Sequence, residues 1–276
     1  MSALLSLSKV TVLFRRDLVI ARSYRSAFVL ELFEALFGVA AFYYLSRFVQ
    51  SAELTRALPQ GGSYFAFALV GFAFFEYMGV ALNAFDHSIQ EARQNGTLET
   101  LLVTQTSLPV ILAGSAVYPF ALMSLRTAVY LAWGIFLFDF PARQANWPGA
   151  ALVLLVSVLA FAGLGILSAS YLLLFKRGNP AKWVLLGVSA VLGGMMYPVS
   201  VLPQNLQRVA RLVPITYSLE GMRAALLGRA GLAELWPSLR ALLLFLLFSI
   251  ILLPLAFVVF SWALRRTKVT GTLTHF

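Results

Sequence analysis

The sequence predicts an all-α integral membrane protein, a single transmembrane domain over residues 1–276. Three observations carry this. The chain is 60% hydrophobic and 12% charged with a mean hydropathy of +0.84, whereas a soluble domain keeps roughly a quarter of its residues charged. Six apolar runs recur, each near the ~20 residues that cross a bilayer's hydrocarbon as a helix. Lysine and arginine also gather on alternate loops between those runs, as they do around membrane spans. The net charge of +10 is therefore no argument for nucleic acid. With no cysteine there are no disulfides and no thiol chemistry, and His87 and His275 are too few and too far apart for a metal cluster.

Residues Ser2–Arg25 place Leu7, Val10, Phe14 and Leu18 on one side of a helix and Lys9 and Arg16 on the other. That pattern suits a helix lying in the interface with its basic face toward anionic headgroups. It lacks the compact apolar core and small-residue cleavage site of a cleaved signal peptide. Spans are expected at Ser26–Phe48, Tyr64–Phe85, Pro109–Phe138, Ala150–Phe175, Trp183–Val201 and Leu239–Leu264. Lys9, Arg15, Arg16, Arg22 and Arg25 precede the first, Lys176, Arg177 and Lys182 follow the fourth, and Arg265, Arg266 and Lys268 follow the sixth. The other face carries only Arg47, Arg56 and Arg143 in its short loops. The positive-inside rule then puts both termini, and the loop after the second span, in the cytoplasm.

That loop, Gln90–Leu108, is more than a turn. It opens with Glu91 and Arg93, breaks at Asn95-Gly96, and restarts with Leu98, Leu101 and Leu102 on one helical face. Glu99 lies near the start of that turn, where the helix dipole favours a carboxylate. An apolar face with a charged shoulder reads as a docking surface for a cytoplasmic partner.

Between Met195 and Trp236 the chain is neither a clean span nor a polar loop. Pro198, Pro203 and Pro214 interrupt it. Gln204–Val213 sets Leu206, Val209 and Val213 against Arg208 and Arg211, while Ser218–Leu227 sets Leu219, Met222 and Leu226 on one face. Broken backbone at membrane depth is tolerated only against protein or a water-filled cavity. A re-entrant or interfacial helical hairpin on the outer face is expected, with Glu220 and Arg223 spaced to pair. Arg208, Arg211, Arg223, Arg229 and Arg240 would then be interfacial anchors.

The run Glu…Gly-Thr-Leu-Glu-x-Leu-Leu-x-Thr-x-x-Ser, formed by Glu91, Gly96, Thr97, Leu98, Glu99, Leu101, Leu102, Thr104 and Ser107, resembles the loop after the second membrane helix of type-2 ABC exporter permeases. The chain departs from that family in carrying Gln105 where a proline is usual, and in delaying Pro109 to the next span. Pro198, Leu202, Pro203, Pro214, Thr216, Tyr217, Glu220 and Arg223 match a second family pattern, in the right order. The resemblance implies an elbow helix at 1–25, a coupling helix at 90–108 that fits a groove on a separate ATP-binding subunit, and an extracytoplasmic hairpin at 195–236. ATP and Mg would be bound by that partner, not by this chain.

Ionisable residues inside spans cost about 2.5–3.5 kcal/mol each and are usually paired. Glu76 and Arg126 both fall 12 residues from the outer ends of their spans, so a Glu76–Arg126 ion pair is expected, fixing helix packing or relaying nucleotide state. Glu31 and Glu34 share a face near Arg22 and Arg25, which would neutralise them locally. The second span holds Phe65, Phe67, Phe72, Phe74, Phe75 and Tyr77, rings that could line a path or simply pack.

No G-x-x-x-x-G-K-[ST] loop occurs, so the chain does not cradle ATP by that route, and the spans lack the dense charges of an ion-driven carrier. The expected function is a permease subunit working as a dimer with two ATP-binding subunits, exporting an amphipathic or hydrophobic molecule. The alternatives are a membrane anchor that recruits a cytoplasmic partner without transport, and a membrane enzyme acting on lipid. The enzyme would need an aspartate-rich metal motif or a histidine/carboxylate centre, and neither is found.

Overall fold

The computed structural model describes residues 10–12, 14–19, 25–49, 58, 63–94, 108–175 and 180–269. Among the described residues the regular structure is helical throughout. The main helices are α1 (Arg25–Val49), α2 (Tyr64–Gln94), α3 (Leu108–Leu137), α4 (Trp147–Phe175), α5 (Pro180–Leu192), α6 (Gln204–Ala210), α7 (Pro214–Leu227) and α8 (Leu232–Val269). Short 3-10 turns sit at Ala142–Gln144 and Val199–Val201. Residues 10–12 and 14–19, inside the segment assigned to an interfacial helix, are helical, and the Phe14 ring meets Tyr118 of α3 at 6.4 Å.

Among the described residues three helices are long and apolar enough to cross a membrane, over Tyr64–Phe85, Ala116–Leu137 and Trp147–Ile166. α1, with 25 residues, and α8, with 38, have the length as well. α5 does not. The sequence placed a fifth span at Trp183–Val201, but the helix has 13 residues and ends at Leu192, covering only ~20 Å. Gly193-Gly194 stops it: Gly194 takes φ +81°, a left-handed turn that a side chain would strain. The second span differs in the other direction. Its helix runs on through the polar residues Asp86–Gln94, nine beyond the expected end, and the described helix stops at the residue before Asn95-Gly96.

Helix starts follow local chemistry. The Asn146 Oδ1 accepts the Gly149 N–H at 2.9 Å, capping α4, and Pro148 sits in the first turn, where its missing N–H costs nothing. Pro214 opens α7 in the same manner. α4 lies at the centre, packed on α2, α7 and α8, while α1 leans on α2 and α3. The core between them is formed by Leu69, Tyr77, Met78, Leu82, Phe161, Ile215, Leu219 and Leu226, all essentially buried. Gly165 lets α4 approach α2 closely, since a Cβ there would meet the Ala81 carbonyl at 2.3 Å, whereas a Cβ on Gly187 would have nothing within 4 Å.

Candidate functional site

Two groups of polar residues stand out against this apolar frame. One lies where the hairpin meets the start of α2, the other among α1, α2 and α3.

The hairpin is the pair α6–α7. Pro203, exposed, precedes α6; Pro198, buried, precedes the 3-10 turn; and Pro214, also buried, opens α7. The Tyr217 hydroxyl donates to the Arg211 carbonyl at 2.9 Å and the Thr216 hydroxyl to the Ala210 carbonyl at 2.8 Å, so α7 folds back on the end of α6. Leu219, Met222 and Leu226 bury one face of α7. The Asn146 Nδ2 donates to the Ala230 carbonyl and its N–H to the Ala225 carbonyl, both at 2.8 Å. Asn146 thus ties the loop before α4 to the end of α7. Asn146→Ala is expected to cost about 1–2 kcal/mol through the lost cap and the unsatisfied Ala230 carbonyl, read as a lower melting temperature in lipid nanodiscs.

Arg223 is not an interfacial anchor, and its hydrogen bonds do not go to Glu220. It is 4% exposed, and the fork of its guanidinium is filled by main-chain oxygens. Nε and Nη2 donate to the Phe67 carbonyl of α2 at 3.2 and 3.0 Å, Nη1 to the Gly194 carbonyl at 2.7 Å, and Nη2 also to the Met195 carbonyl at 2.8 Å. The Phe67 ring lies against the guanidinium, 3.4 Å from carbon to centroid. Burial pushes this guanidinium down, to about 9, with Glu220 opposing, so Arg223 stays charged at neutral pH. Glu220 is raised, chiefly by desolvation, against the pull of Arg211 and Arg223.

The sequence missed why the clamp closes. Gly71 stands one helical turn after Phe67, and a Cβ there would lie 2.1 Å from the Met195 oxygen and 2.6 Å from the Arg223 Nη2. Its absence lets the bend after α5 touch the α2 backbone. An isolated glycine in an apolar run was the available signal.

The second group corrects an expected pairing. Arg126 of α3 pairs with Glu31 of α1 at 3.1 Å, each side chain about a third exposed at 31%. Glu76 of α2 accepts from the Tyr130 hydroxyl at 2.7 Å instead. One turn of α3 separates Arg126 from Tyr130, so Glu76 and Arg126 share the neighbourhood, but each has found another partner. Glu31, expected to be neutralised by Arg22 or Arg25, bridges two helices. Tyr77 adds bonds to Ser124 at 2.7 Å and to the Phe120 carbonyl at 3.1 Å. A double-mutant cycle of Glu31→Gln with Arg126→Gln is expected to give a coupling of about 1–2 kcal/mol in thermal melts, and the Glu76→Gln cycle with Arg126→Gln less than half of that. The reverse order would restore the original pairing.

Of the docking residues, Glu91 and Arg93 fall on the last turn of α2, while Gly96, Thr97, Leu98, Glu99, Leu101 and Leu102 lie outside the described residues. Of the second-span aromatics, Phe65, Phe67, Phe74 and Tyr77 are buried in the helix packing. Among the described residues no group of acids and histidines could hold a metal.

Comparison with known proteins agrees with this architecture. The family described as ABC-2 type transporter matches residues 8–227, which takes in α1 through α7. The chain is 29% identical over 171 residues to the inner membrane transport permease YadH of Escherichia coli K12, across 61% of this chain and 65% of the relative. The same figures hold for the YadH protein of Shigella flexneri. The chain thus spans just under two thirds of the length of these relatives. On the match over residues 8–227, the chain is a member of the ABC-2 type transporter membrane family.

Proposed function

We propose that this chain is the permease subunit of an ATP-driven exporter. It works in the inner, cytoplasmic membrane as a dimer with two separate ATP-binding subunits, with both termini cytoplasmic and with the fifth of its six crossings completed by the irregular backbone that follows the short α5. The substrate is amphipathic or hydrophobic: a drug-like molecule, a lipid or a lipid-linked glycan. What supports the reading most is the length of α2. Its 31 residues measure ~46 Å against ~30 Å of hydrocarbon, so its polar end projects beyond the membrane. That end holds Gln90–Gln94, the first residues of the Gln90–Leu108 segment that resembles the family's coupling helix. A partner that moves the segment also moves a continuous rod through the membrane.

The test is a mild-detergent pull-down of the tagged chain from its native membrane, with companions identified by mass spectrometry. A stoichiometric P-loop protein is expected. A chain recovered alone, or with proteins that bind no nucleotide, would move the reading to the anchor or the membrane enzyme.

A further inference from the structure

We infer that Arg223 is a positioning residue, the joint through which α2 carries the outer hairpin, so that α2, α5 and α6–α7 travel together when the far end of α2 is displaced. This rests on the permease reading above. The joint is made of main chain on one side and a single side chain on the other. Four hydrogen bonds from one guanidinium reach α2 and the bend after α5, and no carboxylate takes part in them. A planar fork holds several oxygens in fixed directions, which a lysine's point charge does not do.

α5 is tied to α2 at a second place. The Lys182 Nζ donates to the Asn83 Oδ1 at 2.9 Å. Asn83 lies twelve residues after Gly71, and Met195, whose oxygen lies against Gly71, thirteen after Lys182. The two ties are thus ~18–20 Å apart measured along either segment, and α5 is strapped along α2 at both ends. Displacing α2 along or about its axis therefore drags the bend, and the Arg223 fork drags α7 with it. α6 follows through the Thr216 and Tyr217 bonds to Ala210 and Arg211.

The chain has no cysteine, so Ser63→Cys before α2 and Asn205→Cys on α6 can carry spin labels without background. In the chain alone, in nanodiscs, the labelled pair should give one narrow distance. Arg223→Gln should broaden it at least twofold, and so should Arg223→Lys, which keeps charge and stem if the glutamine variant fails to accumulate. An unchanged distribution overturns the joint. With the co-purified P-loop subunit, single labels at 63 or at 205 report the distance between the two permease copies, with and without vanadate-trapped nucleotide. Both distances should shift in the otherwise native chain. In Arg223→Lys the shift at 63 should persist, with ATP hydrolysis retained, while the shift at 205 falls below half. Equal shifts in that variant overturn the transmission alone. No shift at 63 in the native chain overturns the transmission and the transport reading together.

Discussion

Gly71→Val is expected to destabilise the protein by about 3 kcal/mol or more, a large overpacking effect. The new Cβ would sit 2.1 Å from the Met195 oxygen, a main-chain atom with no rotamer to escape into. Either the bend after α5 moves away and takes two carbonyls from Arg223, or α2 shifts and pulls its own Leu69 and Val70 out of their core packing. Each orphaned buried acceptor adds roughly 1–3 kcal/mol. Gly71→Ala already carries the clash and should lose most of the same stability. Gly38 of α1 provides the internal comparison, since nothing lies within 4 Å of where its Cβ would be. Gly38→Ala should be neutral or more stable, by about 0.5–1 kcal/mol, through the lower backbone entropy of the unfolded chain. Melting curves in nanodiscs check both. A Gly71→Ala variant as stable as Gly38→Ala would mean that α2 and the bend do not touch.

Leu101→Asp is expected to lower recovery of the P-loop subunit at least tenfold while leaving the amount of chain in the membrane unchanged. Under the proposed docking role, the spacing puts Leu101 on one helical face with Leu98 and Leu102. Removing a docked leucine forfeits about 1.5–3 kcal/mol, and an unpaired carboxylate in a partner's groove costs more. At 1.4 kcal/mol per decade, tenfold is the lower bound. Recovery of the partner and its ATPase activity, measured at equal expression, provide the check. Undiminished recovery and turnover would remove the docking role from this face.

The helices were legible because hydrophobic runs and prolines are local signals. The breaks around Pro203 and Pro214 lie where the turn chemistry of the sequence puts them. Three features were not legible, each for a physical reason. α5 stops at Leu192 although Met195, Met196 and Val199 are apolar, because Gly193-Gly194 turns the backbone and hydropathy alone does not register a turn. Arg126 reaches Glu31 rather than Glu76, because depth along antiparallel helices says nothing of their rotation. The partner comes from α1, which the comparison of depths between α2 and α3 leaves out. Arg223 looked like one more surface arginine because its partners are carbonyl oxygens, which every residue carries and no sequence distinguishes. The Glu220 spacing suggested an ion pair, yet burial of Leu219, Met222 and Leu226 turns the same helical face inward and takes Arg223 with it.

The shortness of α5 also bears on the lipid around the molecule. Beside it the regular helical wall is ~20 Å high, and irregular backbone from Gly193 to Pro203 replaces the rest. A bilayer ~30 Å thick meets such a wall by dimpling inward, at a cost of fractions of a kcal/mol per Å of mismatch. Within the proposed permease role, a bilayer thinned beside α5 would lower the barrier to a polar headgroup on that flank.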